Sequence, residues 1–296
     1  MHLTNAMVSP AVAGTFGIVA AGALLWAARR ARASGNEEAL RPMAALGALV
    51  FALQMVDITI PGTGSSGHIG GGVLLAMVLG PHAGLLAMAA VLAVQALFFG
   101  DGGLMALGAN IVNLGVLPCL VVAPLLRSAQ TRASAGRIVV ATVVACTLAL
   151  QLGALGVVAQ TALSGTAPPA LLAASLLSIH LPVGLVEGLL SASVVLALRR
   201  ARGSGEATTY SQVGSIAAAA IAIGGVLTWF SSPLPDGLTW SLVQSGAAAM
   251  PPLAAPWPHV DAATSISGVV GVLLTMTLAA TIASSLRLRN AHKASR

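Results

Sequence analysis

The sequence predicts an all-α integral membrane protein: a polytopic helix bundle of about nine spans, amino terminus outside and carboxyl terminus inside. Three observations carry this. Of 296 residues, 57% are hydrophobic and 7% charged, with a mean hydropathy of +0.92, far from the composition of soluble domains. Apolar stretches near the roughly 20 residues that a helix needs to cross a bilayer recur along the chain. All fourteen basic residues fall in four short clusters: Arg29, Arg30, Arg32 and Arg41; Arg127, Arg132 and Arg137; Arg199, Arg200 and Arg202; Arg287, Arg289, Lys293 and Arg296. Lys and Arg collect in cytoplasmic loops, which fixes these four segments inside.

The spans follow in order. The first, near 9–28, has no basic residue before it and arginines after it. That is the reverse of a cleaved signal peptide, so an uncleaved, N-out helix is expected, with residues 1 and 2 in the mature chain. The next spans lie near 42–60, 68–80, 83–99 and 104–126. No basic residue separates Arg41 from Arg127. Both ends lie inside, so an even number of crossings connects them. Four fit if 68–80 is a short span ending at Gly80-Pro81-His82. Spans near 138–163, 169–198, 211–230 and 264–286 complete the set. Asp57, Asp101, Asp236 and Asp261 then lie at or near the outer face. Trp229 and Trp240 fall at the outer interface and Trp26 at the inner one, where indole rings prefer to sit.

The polar stretch Arg199–Ser211 divides the chain into a seven-span module, 1–205, and a two-span module, 206–296. The second carries a long outer loop with Pro233, Pro235, Pro251, Pro252, Pro256 and Pro258, which favours irregular, extended backbone. No internal repeat is visible, which counts against a symmetric secondary transporter. Cys119 and Cys146 lie inside spans and read as small buried apolar residues. The net charge of +6 is accounted for by topology, and no aromatic residues interleave the basic clusters, so nucleic acid is not an expected partner. The partner implied by composition is the lipid bilayer, and the location a cell (inner) membrane. No G-x-x-x-x-G-K-[ST] loop occurs, so any ATP that drives this chain is bound by another subunit.

The chemistry-bearing residues begin at the amino terminus. The Met1 amine, the His2 backbone nitrogen and the His2 Nδ1 can form a fused five- and six-membered chelate. One imidazole from elsewhere completes a four-nitrogen square, which suits Ni(II) or Cu(II) better than Zn(II). His68 is a candidate fourth ligand. It lies in Gly64-Ser65-Ser66-Gly67-His68-Ile69-Gly70-Gly71-Gly72, a segment too glycine-rich for a plain helix. Non-helical backbone at membrane depth must be buried in protein or line a cavity, so 61–72 reads as a shaped loop dipping into the bundle, with a flexible outer loop as the alternative. Asp57, near the outer end of the second span, is either an orienting partner for a metal-bound imidazole or an interfacial carboxylate facing water. Asp101, with Asn110 and Asn113 further along, reads as part of a tight outer turn. His180 and Glu187 are seven apart and share a helix face. They read as a structural polar pair, with a proton relay as the alternative. His259, Asp236 and Asp261 read as solvated loop residues, with a weak metal antechamber as the alternative.

Met1-His2, Ser9-Pro10-Ala11-Val12-Ala13-Gly14, Phe51-Ala52-Leu53-Gln54-Met55, Pro61-Gly62, Ser66-Gly67-His68, Gly80-Pro81 and the run Gln95 to Asn110 together resemble the CbiM/NikM family. These are the nickel/cobalt substrate-capture components of energy-coupling-factor transporters. The resemblance covers roughly residues 1–200, and His180 and Glu187 are similar to the family's late His and Glu. It implies capture of Ni(II) or Co(II) at the outer face through Met1, His2 and His68, with Ser66, Asp57 and Asp101 around them. It also implies a transmembrane coupling (T/Q) subunit and two ATP-binding subunits as partners, and no organic cofactor. Pro235-Asp236-Gly237-Leu238 resembles the small two-span N component, the PDGLE domain, so the chain reads as an M–N fusion. Thr239 stands where that motif has Glu, and Asp57 where many relatives have Asn. The square-planar nitrogen set and the PDGLE-like module favour nickel. Two other classes stay open on sequence: an ion-coupled secondary metal transporter, and a membrane-embedded metal-dependent hydrolase using His180 and Glu187.

Overall fold

The computed structural model describes residues 1–35, 37–126, 134–203, 209–250 and 260–294. Arg127, Arg132, Arg296, His259 and the 205/206 module boundary lie outside the described residues. The chain runs through α1 (Pro10–Ala33), α2 (Met43–Gln54), a hairpin of β1 (Ile58–Ile60) and β2 (Ser65–Gly67), and α3 (Gly72–Leu79). It continues through α4 (Pro81–Phe99), α5 (Leu107–Leu125), α6 (Ala135–Ser164) and α7 (Pro169–Gly203). It ends with α8 (Thr209–Gly225), α9 (Gly237–Gln244) and α10 (Ala262–Ala294). Among the described residues, α1, α4, α5, α6, α7 and α10 are long and apolar enough to cross a membrane, and α2 and α8 are shorter apolar helices.

The surface is built for lipid. Ile18, Leu125 and Leu163 are 77%, 73% and 71% exposed, while the interior holds Gln54, Gln95, Asn110, Asn113, Gln160, His180 and Glu187. Polar groups are costly against hydrocarbon and turn inward, where they find partners. Asn113 and Gln160 exchange two amide hydrogen bonds of 2.7 and 3.0 Å, joining α5 to α6. α1 starts where Ser9 caps the Val12 amide and Pro10 opens the first turn, the preferred chemistry for a helix start. α2 is almost wholly buried and is covered by α8 and α10 of the second module. Gly224 and Gly268 let α8 and α10 meet backbone to backbone, the small-residue contact usual in membranes. At the end of α1 that carries the arginines, Trp26 meets His82 edge-on at 4.7 Å and Arg30 lies 5.7 Å from the Trp26 ring.

Three expected spans differ in detail. The 42–60 stretch is helical only to Gln54. Beyond it the β-branched Ile58-Thr59-Ile60 pairs antiparallel with Ser65-Ser66-Gly67, because Gly62 and Gly64, at φ of 77° and 74°, fold the chain back between them. The 68–80 stretch is non-helical to Gly71, then forms the eight-residue α3, about 12 Å long. In 104–126 the helix starts at Leu107, and its winding widens to i→i+5 bonding from Val112 to Val122. Pro118 lies inside that stretch, where its missing N–H breaks the ordinary i→i−4 ladder.

Candidate metal site

The amino terminus folds inward. Met1 and His2 are buried at 4% and 7% exposure. The anchor is Asn110 of α5, whose side-chain amide both accepts from the Leu3 N–H at 2.8 Å and donates to the Leu3 carbonyl at 3.0 Å. Gly103 N–H donates to the same carbonyl at 2.9 Å. These bonds replace the water that a free terminus would hold and aim residues 1 and 2 into the bundle.

The expected residues converge. The His2 and His68 rings stack, with centroids 5.1 Å apart and planes within 12°. Both line a cavity of about 390 Å³ with Asp57, Asp101, Asp236, Thr239, Gln54 and Gln95. His2 Nδ1 lies 3.1 Å from Asp101 Oδ1, and its Nε2 is buried without a partner. His68 Nδ1 lies 3.0 Å from the Ile69 carbonyl. A carbonyl can only accept, so this nitrogen carries the proton and Nε2 has the free lone pair. Among the described residues no three His, Cys, Asp or Glu side chains form a metal cluster.

Ser66, Asp57 and Asp101 take different places. Ser66 does not line the cavity. Its hydroxyl donates to the Leu234 carbonyl at 2.8 Å and its N–H to the Pro235 carbonyl at 2.8 Å, so β2 carries the Pro235-Asp236 turn as an added strand. Asp57 is tied to the same segment: its N–H donates to Ser231 Oγ at 2.8 Å and its carbonyl accepts from Ser232 N–H at 2.8 Å. The Asp57 carboxyl is turned into the cavity, with Oδ1 buried and without a partner. Asp101 does form a turn, and it also holds His2.

Asp236 departs from the expectation of a solvated loop residue. Its carboxylate caps α9 by accepting from Thr239 and Leu238 N–H at 2.9 and 3.3 Å, and Oδ2 lies 3.6 Å from the Met1 amine. The residue expected in the solvated loop, with a weak metal antechamber as the alternative, thus lies in the cavity wall beside the amino terminus. Asp261 caps α10 instead, accepting from Thr264. Gln54 and Gln95 form the cavity floor, linked by a 2.8 Å hydrogen bond. In sequence each amide sits near the end of an apolar run, Gln54 within the Phe51–Met55 stretch and Gln95 at the head of the run to Asn110.

His180 and Glu187 share α7 but bond to different partners. His180 Nδ1 donates to the Leu176 carbonyl at 2.8 Å. Glu187 accepts from Gly70 and Gly71 N–H at 2.8 and 2.9 Å. Glu187 thus holds the Gly70-Gly71 segment while His180 bonds back to its own helix, and the two do not pair with each other.

Four titratable groups around the cavity are shifted from their ordinary values. Burial would raise Asp101, but the charge and hydrogen bond of His2 hold its carboxyl below the usual range. Burial would likewise raise Asp236, and the amino-terminal charge with the Thr239 donors brings it below its ordinary value. Asp57, with less to offset its burial and with Asp236 nearby, is pushed up to about 7. Burial, then the amino-terminal charge, then His2 lower His68 to about 3, so its imidazole is neutral at physiological pH.

Residues 2–204 match the family described as the cobalt uptake substrate-specific transmembrane region. A protein of Haloquadratum walsbyi named as a metal transport protein is 35% identical over 205 residues, covering 68% of this chain and 91% of its own. An Archaeoglobus fulgidus protein named as the fused nickel transport protein NikMN is 29% identical over 296 residues, spanning 94% of this chain and 96% of its own. Two solved structures share the fold. A truncated transition metal transporter has a TM-score of 0.57 at 27% identity, covering 68% of this chain and 99% of its own. A transition metal transporter has a TM-score of 0.59 at 25% identity, covering 72% and 97%. The family match over residues 2–204, more than two thirds of the chain, shows that this multi-pass membrane protein belongs to the CbiM family.

Proposed function

We propose that the chain is the substrate-specific subunit of an energy-coupling-factor importer. It captures Ni(II), or Co(II), at its outer face through the Met1 amine, the His2 backbone nitrogen and imidazole, and the His68 imidazole. The observation that carries this reading is the burial of Met1 and His2, with His2 stacked on His68 in one carboxylate-lined cavity and the Met1 amine 3.6 Å from Asp236 of its wall. Chelation through Nδ1 takes that nitrogen off Asp101. It releases the amine and amide protons, and a dication bound to a deprotonated amide leaves a complex of net charge +1. Asp101 and Asp236, both ionised, face that charge. The relatives named for nickel and cobalt transport support the choice of ion, and the end-to-end match to a fused NikMN supports the two-module reading.

The topology that goes with this reading has nine crossings, amino terminus outside and carboxyl terminus inside, with α2, α3 and α8 as the short ones. Each basic cluster then falls on one side of the bundle. Transport needs a transmembrane coupling subunit and two ATP-binding subunits, because the chain has no P-loop of its own. The purified chain, titrated with Ni(II) and Co(II) in competition, is expected to bind one ion per chain and to lose tight binding in His2→Ala and His68→Ala. Retention of tight binding in both variants overturns the ligand set. Metal uptake by the chain alone in liposomes under an ion gradient favours a secondary transporter instead. Hydrolase chemistry at His180 and Glu187 is disfavoured, since the two side chains do not pair and the Glu187 carboxylate is engaged by the Gly70 and Gly71 amides.

A further inference from the structure

We infer that Glu187 is the positioning residue of His68, acting through the peptide unit between Ile69 and Gly70. This rests on the metal-capture reading of His68. The carbonyl of that unit accepts from His68 Nδ1 at 3.0 Å. The N–H of the same planar unit donates to Glu187 Oε2 at 2.8 Å. The next unit is held in the same manner: Gly71 N–H donates to Glu187 Oε1 at 2.9 Å, and the Gly70 carbonyl accepts from Gln54 Nε2 at 2.6 Å. Two consecutive peptides are thus gripped between α7 and α2, with the ligand imidazole at the end of the chain of bonds.

The local sequence is shaped for this grip. A Cβ on Gly70 would lie 3.3 Å from Glu187 Oε2, so any side chain would crowd the carboxylate. Gly71 has φ of +77°, and a Cβ there would come within 2.5 Å of Val50 Cγ1, which leaves only glycine. Glu187 itself is 2% exposed. A buried carboxylate costs stability that an apolar side chain would not. Its two backbone donors offset that cost and fix a geometry in return. A histidine ligand whose second nitrogen is held by a carbonyl keeps its tautomer and orientation and gains basicity. Glu187 supplies the far end of that hold and polarises the intervening peptide toward the ring.

The test uses the full-length chain, Ni(II) titration by calorimetry and the electronic absorption of the bound Ni(II), with wild type and His68→Ala beside the variants. Glu187→Gln keeps size and shape but turns an NH₂ group toward one of the two N–H donors. It is expected to bind about tenfold or more weakly, with its absorption band displaced in the direction of His68→Ala. Glu187→Asp keeps the charge but shortens the reach. It is expected to show a smaller displacement and carries the test if Glu187→Gln does not fold. A residue serving only to fill space would leave the band unmoved in Glu187→Gln. Wild-type affinity and band in a folded Glu187→Gln or Glu187→Asp overturn the inference while leaving His68 as a ligand. Wild-type behaviour of His68→Ala overturns the metal-capture reading itself.

Discussion

Asn110→Ala measures how far metal capture depends on the docked amino terminus. Asn110 touches none of the proposed ligand atoms, yet both of its amide groups hold Leu3. The substitution orphans the buried Leu3 N–H, which costs about 1–3 kcal/mol. The Leu3 carbonyl keeps its bond from Gly103, so losing the second donor costs only about 0.5–1.5 kcal/mol. Together the docked arm loses roughly 1.5–4.5 kcal/mol. At about 1.36 kcal/mol per tenfold, Ni(II) affinity is expected to fall at least about tenfold once the undocked arm competes. Calorimetric titration gives the affinity, and thermal unfolding of the metal-free chain shows whether the bundle is intact. A folded Asn110→Ala protein with affinity within about twofold of wild type would refute the idea that arm docking pre-organises the chelate.

Three further outcomes are expected. Adding one residue before Met1 converts the amine to an amide and places it where Met1 is now buried; tight Ni(II) binding is expected to vanish while the fold persists, and native affinity would show that the amine is not a ligand. Affinity is expected to weaken steeply from pH 8 to 5, with proton release seen by calorimetry in buffers of different ionisation enthalpy, because metal and protons compete for the amine, the amide and the His2 imidazole. His68, lowered to about 3 by burial first, stays neutral across that window and adds nothing to the slope, so a flat profile would indicate ligation by Asp101, whose carboxyl is held below the usual range, instead. Residues 1–205 contain Met1, His2 and His68 and are expected to bind metal with affinity reduced by loss of the Asp236 wall, while cellular uptake with the coupling and ATP-binding subunits fails; complete loss of binding in the truncated chain would place a ligand in the second module.

The sequence by itself determined the membrane class, because hydropathy and the placement of arginines report directly on the bilayer. It also determined the chelate candidates, because an amine followed by a histidine is a metal-binding unit in any fold. The four clusters of basic residues and the dense run from Gln95 to Asn110 belong to the same legible layer. Tertiary structure decided the rest. Ile58-Thr59-Ile60 is as apolar as a span, and only its pairing with Ser65-Ser66-Gly67 makes it a strand. Asp236 reads as a solvated loop residue in a PDGLE-like motif, and its place 3.6 Å from the Met1 amine depends on β2 capturing the Pro235-Asp236 turn across most of the chain's length. Glu187 reads as half of a polar pair with His180, but its carboxylate faces the Gly70 and Gly71 amides. Backbone donors are identical at every residue, so no side-chain pattern announces which of them a distant carboxylate will meet. Local periodicity encodes which groups must leave lipid or water; the partner each one finds is set by the packing of helices far apart in sequence.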